Sequence, residues 1–414
     1  MAYRSGITEP LIRSRSGALI GAMIFSTTAT GVLLISVPLE LHRLHASPTE
    51  SGVVLAMFGL GMFVFEWLWG VLAVRFGYRW PMVASQVLYA VFFAVLSQVG
   101  SVPLIAAAYF LACGMMVAGG PIPRSYVGTA VHSNLRATGL ALLASQWVVA
   151  EAFGAGIGGA LIDRFPIGSV LLPAAALPLV SAVLVGVVFR GYGRQAVPPS
   201  GKLMMKLPPD GGQVIRVLAI TAALALLIQV GLGGELALLP LLVTDHLGLQ
   251  ASAAGGAMLA VGLIGGVLLV PGGRVADLWG RRPSMVTGAA LSAAGYVTYA
   301  VAGTFAVVLA GAALRAVGSS LIWPAVTAWI AESVPRRRHA FYMGLFGEFE
   351  NVGITIGPVL GGLAWSLAGI QSAFYLYAAA AALAAAVAAT VVGRPAVTDA
   401  HPAELLPQDW QSRS

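Results

Sequence analysis

Six ionisable side chains fall inside long apolar blocks of this sequence: Glu66, Glu151, Glu235, Arg315, Glu348 and Glu350. A charge at hydrocarbon depth is costly unless it is paired, hydrated or used, so each marks a site hypothesis. Arg315 and Glu151 lie near the middle of their blocks. Two readings follow for them: a fixed structural pair, or groups that meet a passing solute or ion. Glu235 comes after Gly231, Gly233 and Gly234. These glycines either loosen a helix and expose its carbonyls to a cavity or form a small-residue packing face. Trp147 and Trp323 are also deep, and Gln146 beside Trp147 offers a hydrogen-bonding contact to a solute. Trp67, Trp69, Trp80, Trp279 and Trp365 lie near block ends and are expected to anchor at the interface.

The elements that position these residues are membrane spans. Of 414 residues, 58% are hydrophobic and 9% charged, against roughly a quarter charged in a soluble domain. The apolar blocks run about 18–25 residues, the length a helix needs to cross the bilayer. Barrel strands would be about ten residues with alternating polarity. The predicted spans are 17–41, 51–74, 81–99, 102–123, 138–161, 168–190, 214–242, 251–276, 284–302, 304–331, 340–365 and 370–393. The first block is too long for a signal-peptide core, so it is expected to remain as a span. The single cysteine, Cys113, excludes an intrachain disulfide and reads as a small buried hydrophobe.

Basic residues set the orientation. Arg4, Arg13 and Arg15 precede span one, Arg75 and Arg79 follow span two, and Arg124 and Arg136 fall between spans four and five. Arg190, Arg194, Lys202, Lys206 and Arg216 surround the middle linker; Arg274, Arg281 and Arg282 follow span eight, and Arg336 to Arg338 follow span ten. The opposite loops hold only Arg43 and Arg164. The positive-inside rule predicts both termini in the cytoplasm, with the net charge of +7 serving orientation and lipid headgroups rather than nucleic acid. Residues 1–16 read as an N-terminal tail, 17–190 and 214–393 as two six-helix bundles, 191–213 as a proline- and glycine-bearing linker, and 394–414 as a polar C-terminal tail.

The two bundles are copies. Gly70 to Arg79 matches Gly273 to Arg282 at an offset of 203 residues. The same offset pairs Gly52 with Gly255, Gly59 with Gly262, Pro121 with Pro324, and Gly154, Gly158 and Gly159 with Gly357, Gly361 and Gly362. Parallel repeats related by an axis along the membrane normal place a solute site between the halves near the midplane. On these residues, and on the segment Gly272 to Pro283 (GGRVADLWGRRP), the chain resembles the major facilitator superfamily over residues 15 to 393. The resemblance implies an all-α fold of twelve transmembrane helices in two pseudo-symmetric six-helix bundles, carrying a small solute by alternating access.

It further implies that Gly273, Asp277, Gly280, Arg281 and Arg282 form a gating loop, with Asp277 accepting hydrogen bonds from a neighbouring helix N-terminus. The first-half copy has Val74 and Tyr78 at the acidic and basic positions. The glycine-proline series of drug/proton antiporters is found as Gly353, Gly357-Pro358 and Gly361-Gly362 in span eleven, which suggests efflux of a small organic compound. Spans two and eleven are neighbours in the resembled fold, so Glu66, Glu348 and Glu350 are expected to form a proton site reached from the cytoplasm. Glu66 lies eight residues before Val74, about 12 Å inside its span.

The expected solute-binding or coupling residues are therefore Glu66, Gln146, Trp147, Glu151, Glu235, Arg315, Trp323 and Glu350. No histidine has ligand spacing to another, so neither a metal site, a cofactor nor an enzyme is expected. The expected partners are the solute, protons and the lipids of the inner membrane, with the protein a monomer. A transporter-like sensor without turnover is the second reading.

Overall fold

The computed structural model describes residues 15–130, 133–190, 211–333 and 339–392. The tails, His132, the linker through residue 210 and Arg336 to Arg338 lie outside the described residues, as does the side chain of Arg136. The described chain is helical throughout. In order come α1 Arg15–Arg43, α2 Pro48–Phe76, α3 Arg79–Leu96, α4 Val102–Met116, α5 Pro121–Ala130 and α6 Ser133–Ile162. Then follow α7 Ile167–Ala174, α8 Ala176–Val188, α9 Gly211–Leu241, α10 Ala251–Trp279, α11 Arg281–Ala300, α12 Phe305–Ser333, α13 His339–Ala368 and α14 Ile370–Val391. Helices α4 and α5 make one span through a tight turn at Val117–Gly119, and α7 and α8 make another. Twelve passes result, six in each bundle, with residues 15 and 391 at the same end. We call this the tail end and the opposite one the far end.

Among the described residues, eleven of these spans are long and apolar enough to cross a membrane. The exception is α11, whose sequence is rich in Gly, Ala and Ser. Its small residues face other helices rather than lipid: a side chain at Gly288 would strike the Gly318 carbonyl, and one at Gly295 the Gly311 carbonyl and Arg315 backbone. Backbone proximity replaces apolar bulk here, as small-residue faces allow in membranes.

The 203-residue offset reappears as packing. Gly52 of α2 lies against Pro358 and Gly362 of α13, while its counterpart Gly255 of α10 lies against Ala155 and Gly159 of α6. Gly59 meets Thr355 and Asn351, and Gly262 meets Ala152. Each pair joins the two halves by backbone contact toward the far end. On the tail side, by contrast, nothing among the described residues lies within 4 Å of where a side chain would begin at Gly70, Gly344 or Gly347. The glycine contacts between the halves thus gather toward the far end.

Two sequence expectations need correction. Trp69 is not an interfacial anchor: it is buried and its indole N–H donates to the Gly114 carbonyl at 2.8 Å. Trp67, Trp80 and Trp279 are exposed as anchors should be. Span four does not end at residue 123, because α5 carries it on to Ala130. Arg124 therefore belongs to a helix and not to a loop.

Candidate functional site

The expected site residues separate into three groups. The first is Glu235 of α9 with Arg315 of α12. The guanidinium donates to Glu235 Oε2, Tyr299 donates its hydroxyl proton to Glu235 Oε1 at 2.9 Å, and the Tyr296 ring lies 5.8 Å from the Arg315 Cζ. Both charged side chains are buried within the C-terminal half. Arg315 and Glu151 are not partners. The glycines before Glu235 serve close packing, with Gly231 against Tyr296, Gly234 against Tyr377 and Gly233 against Ile354. Helix α9 runs unbroken through them, which corrects the reading of a loosened helix with exposed carbonyls.

The second group lines the N-terminal half. Trp147 donates its indole N–H to Glu151 Oε2 at 3.2 Å, and Gln146 Nε2 donates to Thr27 Oγ1 at 3.0 Å. Trp147 and Glu151 lie four residues apart on one face of α6, while Gln146 turns toward α1. Gln86 of α3 stands behind them, fully buried, and its amide lies near Gly119 and Trp147.

The third group bridges the halves on the tail side of the glycine seam. Asn351 Nδ2 donates to Glu66 Oε2 across the seam at 2.8 Å. Glu350 accepts from Gln229 Nε2 at 2.8 Å and from the Trp323 indole at 3.1 Å, both through Oε1. Arg124 and Glu66 lie within Coulombic range of Glu350, and Glu66 of Glu348. Asn351 thus ties Glu66 of α2 to α13, and Glu350 ties α13 to α9 and α12. The offset that relates the halves superposes Trp147 on Glu350 and Gly120 on Trp323, so an indole–carboxylate bond occurs in each half with different residues.

Arg124, Asn351 and Gln229 were not expected here. Arg124 was legible only through Pro121 and Pro123, which start a helix well in the first turn. Asn351 and Gln229 are uncharged and carry no burial signal in sequence.

At the tail end the second-half loop forms an ionic clamp. Arg281 bonds Asp277 at 2.5 Å and Glu332 of α12 at 2.6 Å, and Arg282 donates to the Ala389 carbonyl. Gly280 turns the chain at φ 96° and Gly273 packs against Pro324. Asp277 accepts from Arg281, not from a neighbouring helix N-terminus as expected. In the first half the place of Arg281 is taken by Tyr78. It is buried, meets Tyr126 edge-on at 5.7 Å and Phe189 at 6.4 Å, and shares a hydrogen bond with Ser125 at 3.2 Å. One half is clasped by charge, the other by aromatic rings.

Twelve spans in two related bundles, joined across a polar seam, make the architecture of a secondary transporter. The sequence profile of the Major Facilitator Superfamily matches residues 19–233 and again 221–412. The chain belongs to that superfamily. It is 33% identical over 144 residues to the multidrug resistance protein MdtH of Edwardsiella ictaluri, covering 34% of this chain and 35% of MdtH. It is 29% identical over 136 residues to the quinolone resistance protein NorA of Staphylococcus aureus, covering 33% and 35%. These alignments span about a third of each curated relative. The fold is similar to that of a D-xylose–proton symporter, with TM-score 0.76, 16% identity and coverage of 92% and 98%. The inward-open xylose transporter XylE of E. coli gives TM-score 0.73 at 14% identity, covering 91% and 96%.

Proposed function

We propose that this chain is a proton-coupled exporter of a small organic compound, working by alternating access in the cytoplasmic membrane with both termini inside. The observation that carries the reading is the hydrogen bond from Asn351 to Glu66 across the two halves, with the Glu350 carboxylate next to Asn351 in α13. A cluster of carboxylates at membrane depth where the halves meet is placed to carry a proton between the two sides. Rocking of the halves would expose the cluster to each side in turn, which couples proton transfer to the motion. The basic loops support the cytoplasmic placing of the tail end. The drug-resistance names of MdtH and NorA support efflux, although the symporter folds are equally compatible with import.

The experiment is flux in proteoliposomes under an imposed pH gradient, using a compound first found by thermal-shift screening. Glu66→Gln and Glu350→Gln should lose the dependence on the gradient. Unchanged flux in both variants would discard the proton site. The second reading, a sensor without turnover, is favoured by the replacement of the ionic clamp in the first half. Binding without flux in the same vesicles would support it.

A further inference from the structure

The far end carries a polar contact that the seam of glycines does not require. Asp163, just past the end of α6, receives the backbone N–H of Ser252 on both carboxylate oxygens, at 3.3 and 3.2 Å. Ser252 lies in the first turn of α10, in the other half. Beside it, His42 at the end of α1 approaches Asp245 of the C-terminal half at 3.8 Å.

The repeat explains why α10 needs this. Its counterpart α2 begins with its own cap: Ser47 accepts from the Glu50 N–H at 3.3 Å while Glu50 returns a bond to the Ser47 N–H at 2.9 Å. At the equivalent positions α10 has Gln250 and Ala253, and Gln250 makes no side-chain cap. The first N–H groups of a helix are orphans that a carboxylate satisfies, aided by the helix dipole. In α10 that carboxylate comes from the other half of the molecule.

We infer that Asp163 is a latch for the far end: it caps α10 only while the halves are closed there, and releases it when they open. Asp163 is a positioning residue that biases the two-state equilibrium and touches no solute. The inference rests on the alternating-access reading. A side chain that caps a helix in one state and not the other supplies a differential contact, as a switch requires. From cap substitutions elsewhere, its loss should shift the equilibrium toward far-end opening by roughly two- to thirty-fold.

The test uses full-length protein in nanodiscs, where both faces are reachable, with Cys113→Ala and Leu55→Cys. Leu55 is buried in the apolar cleft beneath the far-end seam. The charged thiol reagent MTSET reports opening by its labelling rate. Asp163→Ala and Gln250→Asp should each speed labelling, the second because a local cap competes for the same N–H and repels Asp163. The double variant Asp163→Ala/Gln250→Asp should regain thermal stability and still label fast. A double variant that regains both stability and slow labelling would reduce Asp163 to an ordinary cap and overturn the latch. Gly255→Trp wedges the seam open as a control. Fast labelling in that control alone would remove the latch and leave alternating access standing. No acceleration even there would remove alternating access, and the latch with it.

Discussion

The Arg315–Glu235 pair permits a prediction with a worked magnitude. Both side chains are within the bundle, 6% and 3% exposed, and the pair is completed by Tyr299. Glu235→Gln leaves a charged guanidinium buried beside a neutral amide, with the Tyr296 ring 5.8 Å from its Cζ. Removing one partner of a buried pair costs about 3–5 kcal/mol. If each half melts as a unit of this size, a kilocalorie moves the midpoint by roughly 2–4 °C, so a loss of about 6–20 °C is expected. Arg315→Met should be milder, because the carboxylate left behind keeps the Tyr299 hydroxyl as a donor. The double variant should recover most of the loss. Intrinsic fluorescence melting in detergent measures all three. A Glu235→Gln protein that melts like the parent but no longer transports would refute the reasoning and make the pair a solute contact.

Three further outcomes follow from the seam and the clamps. Gly52→Leu should block far-end closure, since a side chain there meets the Pro358 carbonyl and Gly362; flux should fall at least tenfold while expression persists. Raising salt should loosen the second-half clamp of Arg281 and Glu332 but not the aromatic clasp at Tyr78. Protease accessibility of the two loops at low and high salt reads that difference, and equal responses would contradict it. Trp323→Phe removes a donor to Glu350; gradient-driven flux should fall several-fold while expression persists. Flux equal to the parent's would exclude the Trp323–Glu350 bond from the coupling machinery.

The spans and the duplication were legible because both rest on periodic, redundant signals. Block lengths follow bilayer thickness, and one offset recurs at many glycines. Partners were harder. Arg315 declared itself as a buried charge, yet the sequence reading set it beside Glu151; the crossing of α9 and α12 gives it Glu235 instead. Glu332 lies just past the end of span ten, and its bond to Arg281 depends on where α12 ends relative to the turn. Trp69 and Trp67 differ by two positions, and that half-turn of helix decides between a buried indole and a lipid-facing one. Arg124 was hidden by a span boundary placed too early.

The glycine seams also have a mechanical meaning. Where side chains interlock as knobs and holes, two surfaces separate only by unthreading, and each knob adds a local barrier. At Gly52 and Gly255 the halves touch backbone to backbone instead, and at Gly59 and Gly262 they meet only the small side chains of Thr355 and Ala152 beside backbone. Such a bearing has little ruggedness along the rocking coordinate. The tempo of exchange would then be governed by the handful of polar bonds that must break, and an organism could retune its speed by single substitutions without redesigning the hinge.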